Sequence, residues 1–388
     1  MKFQYKGVPM KIESKWYKTI IVSIGLIMTT TTAFGGIFGS DKDEYALLAK
    51  PFDYAKASSA PLEMSKDYFN SHQTESIKGI KKVIIPVFQV RFSMKNDAKK
   101  NHSDTYSYGS ISAGVELKIS NEVLEHLTKK LYNQFVARLK SEGIEVVDIN
   151  EYKNLPEVQK AISSVPESGT IEELSSINGR ESEIEKKKKD SFFYPWAIHY
   201  PSKYNNFLFS GMMEGNAPGQ SLMRVAERPN LHPSTIKIAK KLGVGIVTVG
   251  YEIQLDKMDA FMESKLWDKK LIVQAAPVLR TRLLAFKVMP ESGDALMMAV
   301  GMGGGTNFTG MNFDGFAVMP ISKPIFGTPK YGAFPWIEAE ATYGGLTNAD
   351  KYLFHLTPDP KALESDLDKA MDAQYNLLFA MLKEAKSK

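Results

Sequence analysis

The chain has 388 residues, 43% hydrophobic and 24% charged, with no cysteine and a formal net charge of +5. Without thiols it can have no disulfide framework, no thiol catalysis and no thiolate metal site. Most of the charge sits at the start, where Lys2, Lys6, Lys11, Lys15 and Lys18 face only Glu13, and the rest is about +1. A nucleic-acid partner is not expected, because phosphate binding needs a net basic face.

The first segment combines that basic flank with the apolar run Ile20, Ile21, Val22, Ile24, Leu26, Ile27 and Met28. It leaves through small residues, Thr31-Thr32-Ala33-Phe34-Gly35-Gly36. These are the parts of a secretory signal peptide. The run is shorter than the ~20 residues a membrane-spanning helix needs. Residues 1–35 are therefore expected to be removed near Ala33 or Gly35, leaving a mature protein in the periplasm or associated with the outer membrane. An exported chain without cysteine suits a bacterial periplasm, and no lipid anchor is expected, since that anchor needs a cysteine at the cleavage point.

Residues 36–79 are polar and small, broken at Ser58-Ser59-Ala60-Pro61, and read as an exposed lead-in with a short helix around Tyr45 to Lys50. Lys82 to Met94 is the first strong strand, apolar on both faces at first and alternating later. That pattern predicts a buried start and an end running to an open edge. Across a polar tip, Lys95 to Thr105, it is expected to form a hairpin with Tyr106 to Ile119. Ser120 is placed to cap a helix whose stripe is Leu124, Leu127, Leu131, Phe135 and Leu139, closed by Gly143. A strand over Ile144 to Ile149 and a short helix from Pro156, with Val158 and Ile162 inward, complete this unit.

Residues 163–230 read as an insertion. Its first part is rich in Ser and Glu and ends in the Lys186 to Lys189 run, the pattern of a solvated segment. Its second part is dense in aromatics, and Phe192, Phe193, Tyr194, Trp196, Tyr200 and Tyr204 form the candidate interaction surface. Such rings supply contact area at low entropy cost, and the bland reading beside this one is that they cover the sheet as a structured insertion. Pro233 then opens a helix closed by Gly243, leading into the strand Val244 to Leu255, an order that points to a crossover. An extended piece from Leu271 to Val288 turns at Pro290 to Asp294 and returns through Ala295 to Val300. Residues 301–356 form a glycine- and aromatic-rich β segment, and 357–388 a terminal helix with the stripe Leu363, Leu367, Met371, Gln374, Leu378 and Leu382. That stripe fits either its own domain or a second subunit.

No motif carries chemistry by itself. Gly301 to Thr306 lacks the following helix that a phosphate loop needs. His72, His102, His126, His199, His232 and His355 show no helical ligand spacing, and His126 reads as solvent-facing. Glu338 and Glu340 alternate on one strand face, within the ~5–9 Å separation of glycosidase carboxylates, but that pattern is common on polar strand faces. No catalytic residue, cofactor or metal is assigned.

Together these elements predict an α/β fold: a mixed sheet with flanking helices, a long insertion and a C-terminal helix. The strand, helix, strand order and the segment Ile238-Ala-Lys-Lys-Leu-Gly-Val-Gly-Ile-Val-Thr-Val-Gly-Tyr251 resemble the periplasmic α/β domain of CsgG-like proteins and the TolB amino-terminal domain. The resemblance covers residues 80–300 without the insertion. It implies a noncatalytic envelope component, a subunit or adaptor of a secretion or appendage assembly. Its partners would be envelope proteins or further copies of itself, with outer-membrane association through a partner. The lipid-bearing cysteine common among CsgG-like secretion proteins is missing here. The alternative is a periplasmic hydrolase, using Glu338 and Glu340, or a module binding peptidoglycan or sugar through the aromatic segment.

Overall fold

A computed structural model of the chain describes residues 52–72, 78–103, 108–163, 165, 168, 170–172, 196–207, 231–265, 268–291, 309–313, 317–320, 326–328, 332–334, 337–342 and 348–387. All of them fall within one unit, Lys42–Lys388. The elements in chain order are α1 (Tyr54–Ser59), α2 (Pro61–Tyr68), β1 (Phe69–His72), β2 (Lys82–Ser93), β3 (Lys95–Ser103), β4 (Tyr108–Leu117), α3 (Asn121–Ser141) and β5 (Glu145–Val146). They continue with α4 (Pro156–Ile162), β6 (Thr170–Glu172), β7 (Trp196–His199), α5 (Pro233–Leu242), β8 (Gly245–Lys265) and β9 (Asp268–Met289). Then come β10 (Thr309–Phe313), β11 (Ala317–Pro320), β12 (Phe326–Thr328), β13 (Gly332–Phe334), β14 (Ile337–Thr342), β15 (Asn348–Leu356) and α6 (Pro360–Ser387).

The central sheet runs β1-β10-β9-β8-β2-β7-β6, with β11 and β14 also on β9 and β5 also on β2. β8 and β5 lie parallel to β2, while β7 and β9 are antiparallel to their neighbours, so the sheet is mixed. The fold is α/β, with helices on both faces and a long C-terminal helix. A second sheet, β13-β12-β15-β4-β3, contains the parallel pair β4–β15.

Local signals account for the helices. The Val123 N–H donates to Ser120 Oγ at 3.4 Å, and Gly143 takes the left-handed φ of +72° that ends α3. α5 starts at Pro233 behind His232, whose Nδ1 accepts from the Ser234 N–H at 3.1 Å, and it stops at Gly243 with φ +60°. The crossover expected from this order is present, because α5 feeds β8 back beside β2 in parallel.

Alternation along β2 then builds the layers. Val83 and Ile85 face the larger core, and Ile84 and Val87 the smaller one. The β2–β8 register slips between Ile84 and Val87, where Pro86 occupies the bulge that a prolyl nitrogen tolerates. Beyond it Phe88, Val90 and Phe92 return to the larger core. That core holds α3 and α6 with the α1–α2 pair, and it includes Ile111, Ala113 and Val115 of β4 from the second sheet. The smaller core packs Val158 and Ala161 of α4 and Ile236, Ile238 and Ala239 of α5 on the opposite side.

Three expectations are corrected. β2 and β4 do not pair with each other: Lys95–Ser103 is itself a strand, β3, and forms an antiparallel pair with β4 in the second sheet. Its polar sequence has low strand propensity, and pairing supplies what propensity lacks. The lead-in is not exposed throughout, since Phe52, Ala57 of α1, Met64 of α2 and Phe69 of β1 are buried in the larger core. One apolar residue per turn sufficed there, too sparse to show as a stripe. The end of β2 is no open edge, because Val90, Arg91 and Phe92 pair with β7 on one side and β8 on the other, and Gln89, Arg91 and Ser93 are all buried. Val158 is buried and Ile162 packs half-buried on the smaller core, as their spacing predicts. All six residues of the α6 stripe are buried within this chain.

Candidate functional site

The aromatic candidates divide. Phe192, Phe193 and Tyr194 lie outside the described residues. Trp196 opens β7, opposite Ser93 of β2 and Glu172 of β6. Tyr200 is buried, and Tyr204 packs half-buried on the smaller core. Neither of these two rings stands fully exposed.

The reason lies in the edge of β2 between β5 and β7, where backbone groups would otherwise go unpaired. The Phe207 N–H donates to the Pro86 carbonyl at 2.8 Å, and Asn205 Nδ2 donates to the Ile85 carbonyl at 2.8 Å. Gln89 donates its side-chain amide to Asn206 Oδ1. Ser202 shapes the turn that aims these groups, accepting from the Tyr204 N–H at 3.2 Å and donating to Asn205 Oδ1 at 2.7 Å. Residues 200–207 are thus a polar seam along β2, with their rings turned inward.

Glu338 and Glu340 lie on β14, opposite Gln274 and Ile272 of β9, two residues apart as expected. Gly301 to Thr306 and Trp336 lie outside the described residues. Among the histidines, His126 is exposed and 3.5 Å from Glu364, and His355 is 3.4 Å from Glu116. His199 is buried and His232 caps α5. Among the described residues, no three His, Asp or Glu gather in a way that could hold a metal ion.

A cavity of about 240 Å³ lies between α4 and α5, lined by Glu157, Lys160, His232, Ser234 and Lys237 with Pro156 and Pro233. Lys241 reaches Glu157 at 2.7 Å and holds its carboxyl below the usual range. Burial, then the Lys160 ammonium, pushes the His232 imidazole down. His232 Nδ1 is committed to the Ser234 N–H, so that atom is not a base for the Ser234 hydroxyl. With Glu157 paired and two further lysines on its rim, the cavity is basic, and it lacks the carboxylate pair that glycoside hydrolysis requires.

One feature of the sheet escaped the sequence reading. Arg91, Glu252 and Arg282 lie side by side across β2, β8 and β9. Gln254 donates to Glu252 Oε1 at 2.8 Å, and Arg280 donates to Gln254 Oε1. Burial lowers the Arg280 pKa from its usual value. The neighbouring row is Val90, Tyr251 and Leu283, all buried and apolar. The strict alternation of Gln89, Arg91 and Ser93 was its signal, one that reads equally as a solvated strand face.

No protein-family model, characterised protein or solved structure matches the chain significantly.

Proposed function

We propose that this chain is an exported, noncatalytic envelope protein with a CsgG/TolB-like α/β domain, acting by protein–protein contact in a secretion or appendage assembly. Its partners are envelope proteins or further copies of itself. One observation carries the reading. β2, α3 and β5 are followed by α5 and a parallel β8, and β8 continues into a 21-residue strand paired along its length with the 22-residue β9. That is the order on which the resemblance rests, including the long hairpin strand expected from Leu271 to Val288. The basic, apolar and small-residue start supports export.

Cross-linking in intact cells followed by denaturing separation tests the contact role. The expected product is a cross-linked species containing a second copy or another envelope protein. An uncross-linked monomer that cleaves peptidoglycan fragments, and loses that activity as Glu338→Gln or Glu340→Gln, would contradict the proposal.

A further inference from the structure

His199 is the last residue of β7, opposite Val90 of β2, and is 1% exposed. Its ring meets Phe92 nearly edge-on, with centroids 5.8 Å apart. Neither Nδ1 nor Nε2 has a hydrogen-bond partner among the described residues. A neutral imidazole carries one donor and one acceptor, and leaving both unmet in a buried place is uncommon. A charged ring there would be worse still, with two donors unmet among the described residues. The strand it ends is short. β7 has four residues and is held by β2 on one side and the three-residue β6 on the other.

We propose that His199 is a proton-operated latch: as the neutral ring it seats the end of β7 on β2 beneath α3, and when protonated it lifts that end from the sheet. The surroundings offer the charged form little help. On the same side of the sheet β2 presents Val90 and Phe92, both apolar and buried. The described pairing of β6 with β7 ends at Ile198, short of His199. From α3 the acidic group acting on the ring is Glu125, which is half-exposed and already holds Lys129 at 2.6 Å. Burial outweighs that carboxylate and pushes the His199 pKa down to about 4. A lifted, solvated ring titrates near ~6.5. Between these values the lifted form binds more protons than the seated one, so seating is complete above the solvated value and weakens as pH falls toward the lower one. The latch does not depend on the proposed envelope role.

Hydrogen exchange of the full chain, corrected for the pH dependence of intrinsic exchange, reads the opening directly. Amides of residues 196–199 should open roughly 70-fold more often at about pH 4.5 than at about pH 7.5, given titration values near ~4 and ~6.5. Those in the middle of α3 should not follow. The variant His199→Phe keeps a ring but cannot be protonated, and it should flatten the dependence. An equal pH response in wild type and His199→Phe would overturn the latch. Should that variant fail to fold, the His199 ring protons of the wild type decide by NMR. Titration near ~6.5 with β7 still protected would overturn the proposal, and a ring that stays neutral until β7 protection is lost would support it.

Discussion

Tyr375 of α6 donates its hydroxyl to the Leu131 carbonyl of α3 at 3.1 Å, inside the layer that both helices form over the sheet. Its ring lies 6.0 Å from Phe135 and 6.3 Å from Tyr251. Phe135 in turn meets Phe88, Phe286 and Phe379 at 5.8, 6.0 and 5.8 Å, so rings from five elements share one contact. Ring packing should therefore outweigh the hydrogen bond. Tyr375→Phe should cost about 1 kcal/mol in denaturant unfolding. Phe135→Ala should cost about 3–5 kcal/mol, because its neighbours cannot collapse into the space left. Equal losses would show that this cluster is not the centre of the core.

The rim of the same helix pair is polar. His126, Lys130, Gln134 and Arg138 stand four apart on α3, facing Glu364, Asp368, Asp372 and Asn376 on α6. Lys130 Nζ reaches Glu364 at 2.6 Å, and Gln134 donates to Asp368 at 2.9 Å. Each pair is about a third exposed or more, so solvent screening takes most of its strength. A double-mutant cycle on Lys130 and Asp368 should give a coupling below about 1 kcal/mol that shrinks in high salt. The Lys130 ammonium holds the Glu364 carboxyl below its ordinary range. Its contribution is therefore complete above the usual carboxylate value and is lost as pH falls through the lowered one. A second cycle, on Lys130 and Glu364, showing the same coupling at acid and neutral pH would contradict this.

Two glycines around the start of β8 are needed for different reasons. Gly243 has φ +60° with open space where a Cβ would stand, whereas a Cβ at Gly245 would lie 2.7 Å from the Met289 carbonyl oxygen. Gly243→Ala should cost about 1–2 kcal/mol from backbone strain alone. Gly243→Asn should recover part of that, because asparagine tolerates the left-handed region. Gly245→Ala must part β8 from β9 at the Ile246–Met289 pair, and Gly245→Asn should be worse. Thermal unfolding of the four variants checks the pattern. A Gly245→Asn milder than Gly245→Ala would refute the steric account.

What could be read in the sequence follows how local the cause is. α3 and α5 were legible because local start and stop signals, Ser120 or Pro233 and Gly143 or Gly243, bracket an apolar stripe, and α6 because its stripe repeats along one face. β3 was not, since its Lys-Asn-Asp-Ala-Lys-Lys run becomes a strand only by pairing with β4. Nor was the parallel partner of β4, which is β15, more than two hundred residues away. The candidate surface shows the same limit: aromatic density marked the segment, but Tyr200 and Tyr204 turn inward because Asn205 and Phe207 must satisfy the Ile85 and Pro86 carbonyls. The row of Arg91, Glu252 and Arg282 alternates like a wet face, so the burial of Arg91 and Glu252 could not be told from residue types.

The most direct test of the envelope reading is to fractionate cells making the chain with a carboxyl-terminal tag and to determine the amino terminus of the recovered protein. We expect it in the periplasmic or outer-membrane fraction, beginning near Phe34 or Gly36 and migrating within a larger complex. Recovery from the cytosol as a monomer still bearing its lysine-flanked apolar start would contradict the account.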